Sequence, residues 1–151
     1  RVAGIERGPV DRLRCMLGPG APGCYNMYAL ACVPSSRIVT TCKENGAGYR
    51  NTGQPFASDD SRQNIANFTR DLQATLNFAS TQMRGFLPER VYVGGYGATL
   101  GNQLVSSLAE VSTAPVQIIN PWSLWSVSNP PKDLYGWEVA LGLALRPAEV
   151  K

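Results

Sequence analysis

An α/β domain built on a mixed five-stranded sheet is the fold class this sequence predicts, and the order of its patterns predicts it. Three strand-like stretches come first and close together, and helical and strand-like stretches then alternate, giving the order βββαβαβα. Strands joined by short links pair antiparallel, whereas strands separated by a helix join in parallel through right-handed crossovers. The 151 residues amount to one domain, and 44% hydrophobic with 17% charged residues is enough to fill a single core flanked by helices.

Residues 1–25 hold one short helical candidate, Val10 to Leu17, and then Gly18-Pro19-Gly20-Ala21-Pro22-Gly23, which breaks any regular element. They read as an N-terminal segment and linker, with the domain over residues 26–147. The start at Arg1 without a Met is expected of a piece cut from a longer polypeptide. Met27 to Val33 is a nearly continuous apolar run stopped by Pro34, the pattern of a central strand buried on both faces. Arg37 to Lys43 is rich in β-branched residues; Asn45-Gly46-Ala47-Gly48 is the expected hairpin turn, with Tyr49 to Thr52 returning as an edge strand.

Ser58-Asp59-Asp60-Ser61 then supplies cap oxygens and first-turn carboxylates, and Ile65, Phe68, Leu72, Leu76, Ala79 and Met83 fall on one stripe of a helix of about six turns. Phe78 lies off that stripe. Next come a strand over Arg90 to Val93, a glycine turn, a helix over Asn102 to Val111, and a strand over Val116 to Ile119 stopped by Asn120-Pro121. A last helix, Leu134 to Leu145, is expected to turn Trp137, Ala140, Leu141, Ala144 and Leu145 inward.

Composition excludes several chemistries. Without histidine the chain alone assembles no Ser-His-Asp or Cys-His machine, no His-ligated zinc and no imidazole shuttle. Cys15, Cys24, Cys32 and Cys42 match no CxxC pattern and read as thiols of a reducing cytoplasm, and no metal site is expected. Cys32 and Cys42 fall at opposite ends of an antiparallel pair, which argues against a disulfide between them. The 14 Lys and Arg residues are scattered, so no nucleic-acid partner is expected despite the net charge of +3. No stretch approaches the roughly 20 apolar residues of a membrane helix, so no direct membrane insertion is expected either.

Two stretches carry a resemblance. Val91-Tyr92-Val93-Gly94-Gly95-Tyr96-Gly97-Ala98-Thr99-Leu100-Gly101 resembles the adenosine motif of actin-like ATPases. Ala114 to Trp122, with Tyr135 to Arg146, resembles the end of PilM, the competence-A family of type IV pilus assembly proteins. The resemblance implies a ribonuclease-H-like lobe, the second of the two in that family, and covers about the last half of the chain well. Glycines between a strand and a helix let backbone amides and a flat base come close, and the helix N-terminus adds partial positive charge. Gly94, Gly95, Gly97 and Gly101, with Ser35 and Ser36 of the first hairpin, are therefore the candidate nucleotide-binding residues, vestigial in the leading reading.

The departures set that reading. Where actin-like ATPases carry an Asp-x-Gly turn, the chain reads Cys32-Val33-Pro34-Ser35-Ser36, with no carboxylate to hold Mg²⁺ and with a proline that removes a backbone donor. Asp59 and Asp60 read as helix-start residues. No inserted subdomain fits between Phe56 and the long helix, and half a cleft cannot clamp phosphates from both faces, so ATP hydrolysis by this chain alone is not expected. The slimmed pattern is similar to the degenerate actin-like proteins of pilus and type II secretion platforms, MshI and the secretion L protein. The expectation is thus a non-catalytic scaffold, with no cofactor, that helps assemble such a platform at the cytoplasmic face of the bacterial inner membrane, held there by its partners. Trp122, Leu124, Trp125 and Phe78, with Phe86-Leu87, are the candidate partner-binding residues. The alternative is a nucleotide-binding lobe, taking ATP and Mg²⁺, that works only beside a missing N-terminal actin-like lobe. A free-standing acetate- or sugar-kinase-like domain ranks last.

Overall fold

The computed structural model describes residues 25–31, 36–42, 45–52, 56, 61–82, 87–124, 127–133, 135 and 137. Five strands form one sheet: β1 (Tyr25–Ala31), β2 (Arg37–Cys42), β3 (Asn45–Asn51), β4 (Arg90–Gly95) and β5 (Val116–Ile118). Their spatial order is β3-β2-β1-β4-β5. The first three pair antiparallel, and β4 and β5 are added in parallel beside β1, as the connection lengths require. The apolar run of β1 is thereby central.

Two helices supply the crossovers, α1 (Ser61–Gln82) from β3 to β4 and α2 (Asn102–Val111) from β4 to β5. Successive right-handed crossovers in one direction put both helices on one face. That face carries Met27, Ala29, Ala31, Val91 and Val93, which form one buried cluster with Ile65, Phe68 and Leu72 of α1 and Leu104 and Leu108 of α2. The alternate residues Tyr28, Leu30 and Tyr92 point to the other face and are buried as well, with the Tyr28 and Tyr92 rings stacked at 5.2 Å. Burial on both faces is what a continuous apolar strand requires.

Several local expectations are corrected. The Asn45-Gly46 pair does not form the hairpin turn: Cys42 pairs with Asn45, so β3 has already begun there. The glycines are absorbed by a bulge instead, since Thr40 pairs with Gly48 and Thr41 with Gly46, leaving Ala47 as the extra residue. On α1, Thr75 joins the buried stripe because its hydroxyl donates to the Asp71 carbonyl at 2.7 Å and shields its own polarity. β4 runs on to Gly95, and the expected glycine turn is a 3₁₀ turn over Tyr96–Leu100. β5 ends at Ile118, although the Ile119 N–H still donates to the Val93 carbonyl at 2.9 Å.

After β5 the expected loop opens with a one-turn helix, α3 (Pro121–Leu124). Asn120 caps it: its side-chain oxygen accepts from the Trp122 N–H at 3.0 Å, and Pro121 occupies the first position, where no N–H is needed. Of the last predicted helix, 134–145, only Tyr135 and Trp137 are described; neither is helical, and Trp137, expected inward, is 47% exposed. Residues 1–24 with Val10 to Leu17 and the linker, the cap residues Ser58, Asp59 and Asp60, and Cys32, Met83 and Phe86 lie outside the described residues, as does the C-terminal end of the proposed domain at residue 147.

Candidate functional site

The C-terminal edge of the parallel strands is where an open α/β sheet places a ligand, and here the glycines gather. Gly94 and Gly95 end β4, in register with Leu30 and Ala31 of β1. Gly95 has φ 79° and ψ −169°, a conformation essentially confined to glycine, and it launches the 3₁₀ turn. Gly101, at φ 55°, closes that turn by donating its N–H to the Ala98 carbonyl at 3.1 Å and accepts from the Val105 N–H at 3.2 Å to start α2. A side chain at Gly101 would meet open space. Tyr96 and Thr99 are exposed beside it, with the Thr99 hydroxyl donating to the Tyr96 carbonyl at 2.8 Å.

Gly97 has a different role. A Cβ there would stand 2.3 Å from the Ala31 Cβ and 3.3 Å from both the Leu104 side chain and Cε1 of Phe56. The missing side chain lets the turn press onto β1, α2 and an aromatic ring. Phe56 was not singled out for this place in the sequence; its signal was that of one apolar residue between two polar stretches. It is buried and meets Phe68 edge to face at 5.8 Å.

Phe56 also borders a small polar niche with Ser36, Thr52, Asn64, Asn67 and Asp71. Ser36 is only 2% exposed, and its carbonyl accepts from both the N–H and the hydroxyl of Thr52 at 3.1 Å. Phe56 thus adjoins Gly97 and lines one niche with Ser36. Ser35 lies outside the described residues. No group of three or more acidic or thiol side chains that could hold a metal ion occurs among the described residues.

Of the candidate partner residues, Phe78, Leu87 and Trp122 have described side chains. Phe78 is 60% exposed on α1, and Leu87 is 64% exposed before β4. Trp122 is half-buried on α3, and its carbonyl accepts from the Val127 N–H at 3.1 Å. The Leu124 backbone lies in α3, whereas Trp125 is outside the described residues. Between α1 and α2 runs an open groove of about 540 Å³, lined by Arg62, Ala66, Thr69, Gln103, Ser107 and Glu110 among others.

No family model matches the sequence, and no curated protein matches it. Among solved structures, a chain of the PilM-PilN type IV pilus biogenesis complex is similar over 95% of this chain and 52% of its own length, at 19% identity and a TM-score of 0.69. A Bacteroides thetaiotaomicron protein of actin-like ATPase fold and unknown function is similar over 89% of this chain and 41% of its own, at 15% identity and a TM-score of 0.43. The chain therefore spans about half the length of the chains it resembles. With the strand order and crossovers above, the likeness to a chain of the pilus complex shows that this chain has the expected fold, that of an actin-like lobe.

Proposed function

We propose that the chain is a non-catalytic actin-like scaffold lobe, the second of its kind, acting in assembly of a bacterial type IV pilus or type II secretion platform. The observation that carries this reading is the buried Phe56 ring, which stands 3.3 Å from where a Gly97 Cβ would be and lines the same small niche as Ser36, the two candidate nucleotide-binding residues it adjoins. A buried ring offers no hydrogen bond to a phosphate, and the carboxylate that would hold Mg²⁺ is missing from the sequence of the first hairpin. The solved complex joins PilM to PilN, and by that likeness we place this chain's partners among pilus or secretion platform proteins. No described helix is long and apolar enough to cross a membrane. The place we propose for the chain is the cytoplasmic face of the inner membrane, held there by those partners.

A nucleotide-binding lobe completed by an N-terminal actin-like lobe is the second reading. Gly101 at the start of α2 favours it, because the space where its side chain would stand is open and a helix N-terminus attracts an anion. Calorimetric titration with ATP and Mg²⁺ separates the two. The scaffold reading expects no binding heat at millimolar nucleotide, and saturable, EDTA-sensitive binding sinks it.

A further inference from the structure

β3, β4 and β5 all point the same way, so the two helices that join them run side by side in one direction. The open groove between them is lined at matching intervals, by Arg62, Ala66 and Thr69 of α1 and by Gln103, Ser107 and Glu110 of α2. Steps of four and three residues keep to one face of each helix. The middle positions, Ala66 and Ser107, are small. The charge of the groove is carried by Arg62, in the first turn of α1, and Glu110, in the last turn of α2. Both are exposed, and neither forms an ion pair or side-chain hydrogen bond among the described residues.

Because the helices are parallel, Arg62 stands toward the end of the groove where both helices start, and Glu110 toward the end where α2 stops. A groove of one sign calls for a partner of the other sign. One that is positive at one end and negative at the other is complementary to itself turned round. A two-fold axis through its middle sets Arg62 of each copy opposite Glu110 of the other, and it brings the small Ala66 and Ser107 to the point of closest approach. Stacking without that rotation would oppose like charges, which is costly. We propose that the groove seats a second copy of the chain, in a symmetric dimer closed by two Arg62–Glu110 pairs. Exposed pairs add little affinity each, so the dimer is a weak one whose register the charges set.

Sedimentation equilibrium of the full chain tests the proposal. A reversible equilibrium between monomer and dimer is expected, weakened by added salt because the pairs are exposed. Arg62→Glu or Glu110→Arg alone sets like charges opposite each other twice, and each is expected to raise the dimer dissociation constant by about tenfold or more. Both positions are exposed, so Tm of the dilute variants should match the parent. Mixing the two single variants rebuilds both pairs across the interface, and the mixture is expected to associate as tightly as the parent. A chain that stays monomeric up to about 1 mM overturns the proposal. So does a dimer indifferent to both substitutions, or a mixture of the two variants that fails to associate. A groove whose variants lose a different protein while the parent chain stays monomeric is a partner site, and that result overturns the dimer as well.

Discussion

At the scale of single residues, the glycines of one motif separate into two physical roles. Gly95 is required by its own backbone, whereas Gly97 is required by its neighbours. Gly95→Ala is expected to cost about 1–3 kcal/mol, because a Cβ is placed in a glycine-only region. Gly97→Ala should cost a similar amount, on the order of 1–3 kcal/mol, because the added methyl meets the rigid Ala31 Cβ in a packed core. Denaturant titration checks both, and a neutral Gly97→Ala would show that the turn can lift off β1. Tyr28 makes an opposite prediction. Burial, and secondarily the neighbouring Tyr92, hold its phenol well above the ordinary tyrosine value, and its hydroxyl is buried without a hydrogen-bond partner. The native state keeps this proton where the unfolded chain, near pH 10, begins to release it. The contribution is therefore full below about pH 10 and is lost as pH rises beyond it. Tyr28→Phe should leave Tm at pH 7 equal or higher, since an unpaired buried hydroxyl costs about 1–3 kcal/mol, and it should blunt the loss of stability above pH 10. A marked fall in Tm at pH 7 would show that the hydroxyl is bonded.

At the scale of elements, what could be read from the sequence was whatever has a long period. The 22 residues of α1 carry enough repeats to define a stripe, and α2 agrees with its expected bounds, Asn102 to Val111. Short features were legible only as composition. Asn45-Gly46 is a strong turn signal locally, but pairing of Cys42 with Asn45 and the bulge at Thr40 outweigh it, since sheet register is set by the whole ladder. The candidate site was legible to the same degree: the glycines stand where the motif put them, at the end of β4, whereas the closing of their surroundings by Phe56 is a contact remote in sequence that no local pattern encodes. A paired substitution tests the helical stripe. Leu72, fully buried, should lose about 2–5 kcal/mol on change to Ala. Phe78→Ala, six residues on and largely exposed, should stay within about 0.5 kcal/mol of the parent in the same urea titration. Equal losses would mean that α1 is rotated from the orientation described.

At the scale of the whole molecule, two helices cover one face of the sheet around a single buried cluster. A tightly bound ligand at a hundred times its dissociation constant adds about 2.7 kcal/mol of stability, which a melting experiment resolves easily. We expect millimolar ATP with Mg²⁺ to leave Tm unchanged, and a rise of several degrees that EDTA abolishes would favour the nucleotide-binding lobe instead. The scaffold reading in turn needs an anchor that is exposed and dispensable for folding. Among the described residues Phe78 fits this best, because it is a large aromatic on a rigid helix that adds little to its own core. Truncating such an anchor typically weakens a complex by 2 kcal/mol or more, about thirtyfold. Phe78→Ala should therefore reduce co-purification with pilus or secretion platform partners at unchanged Tm. Unchanged co-purification at unchanged Tm would remove this face of α1 from the interface and leave the half-buried Trp122 on α3 as the next anchor to truncate.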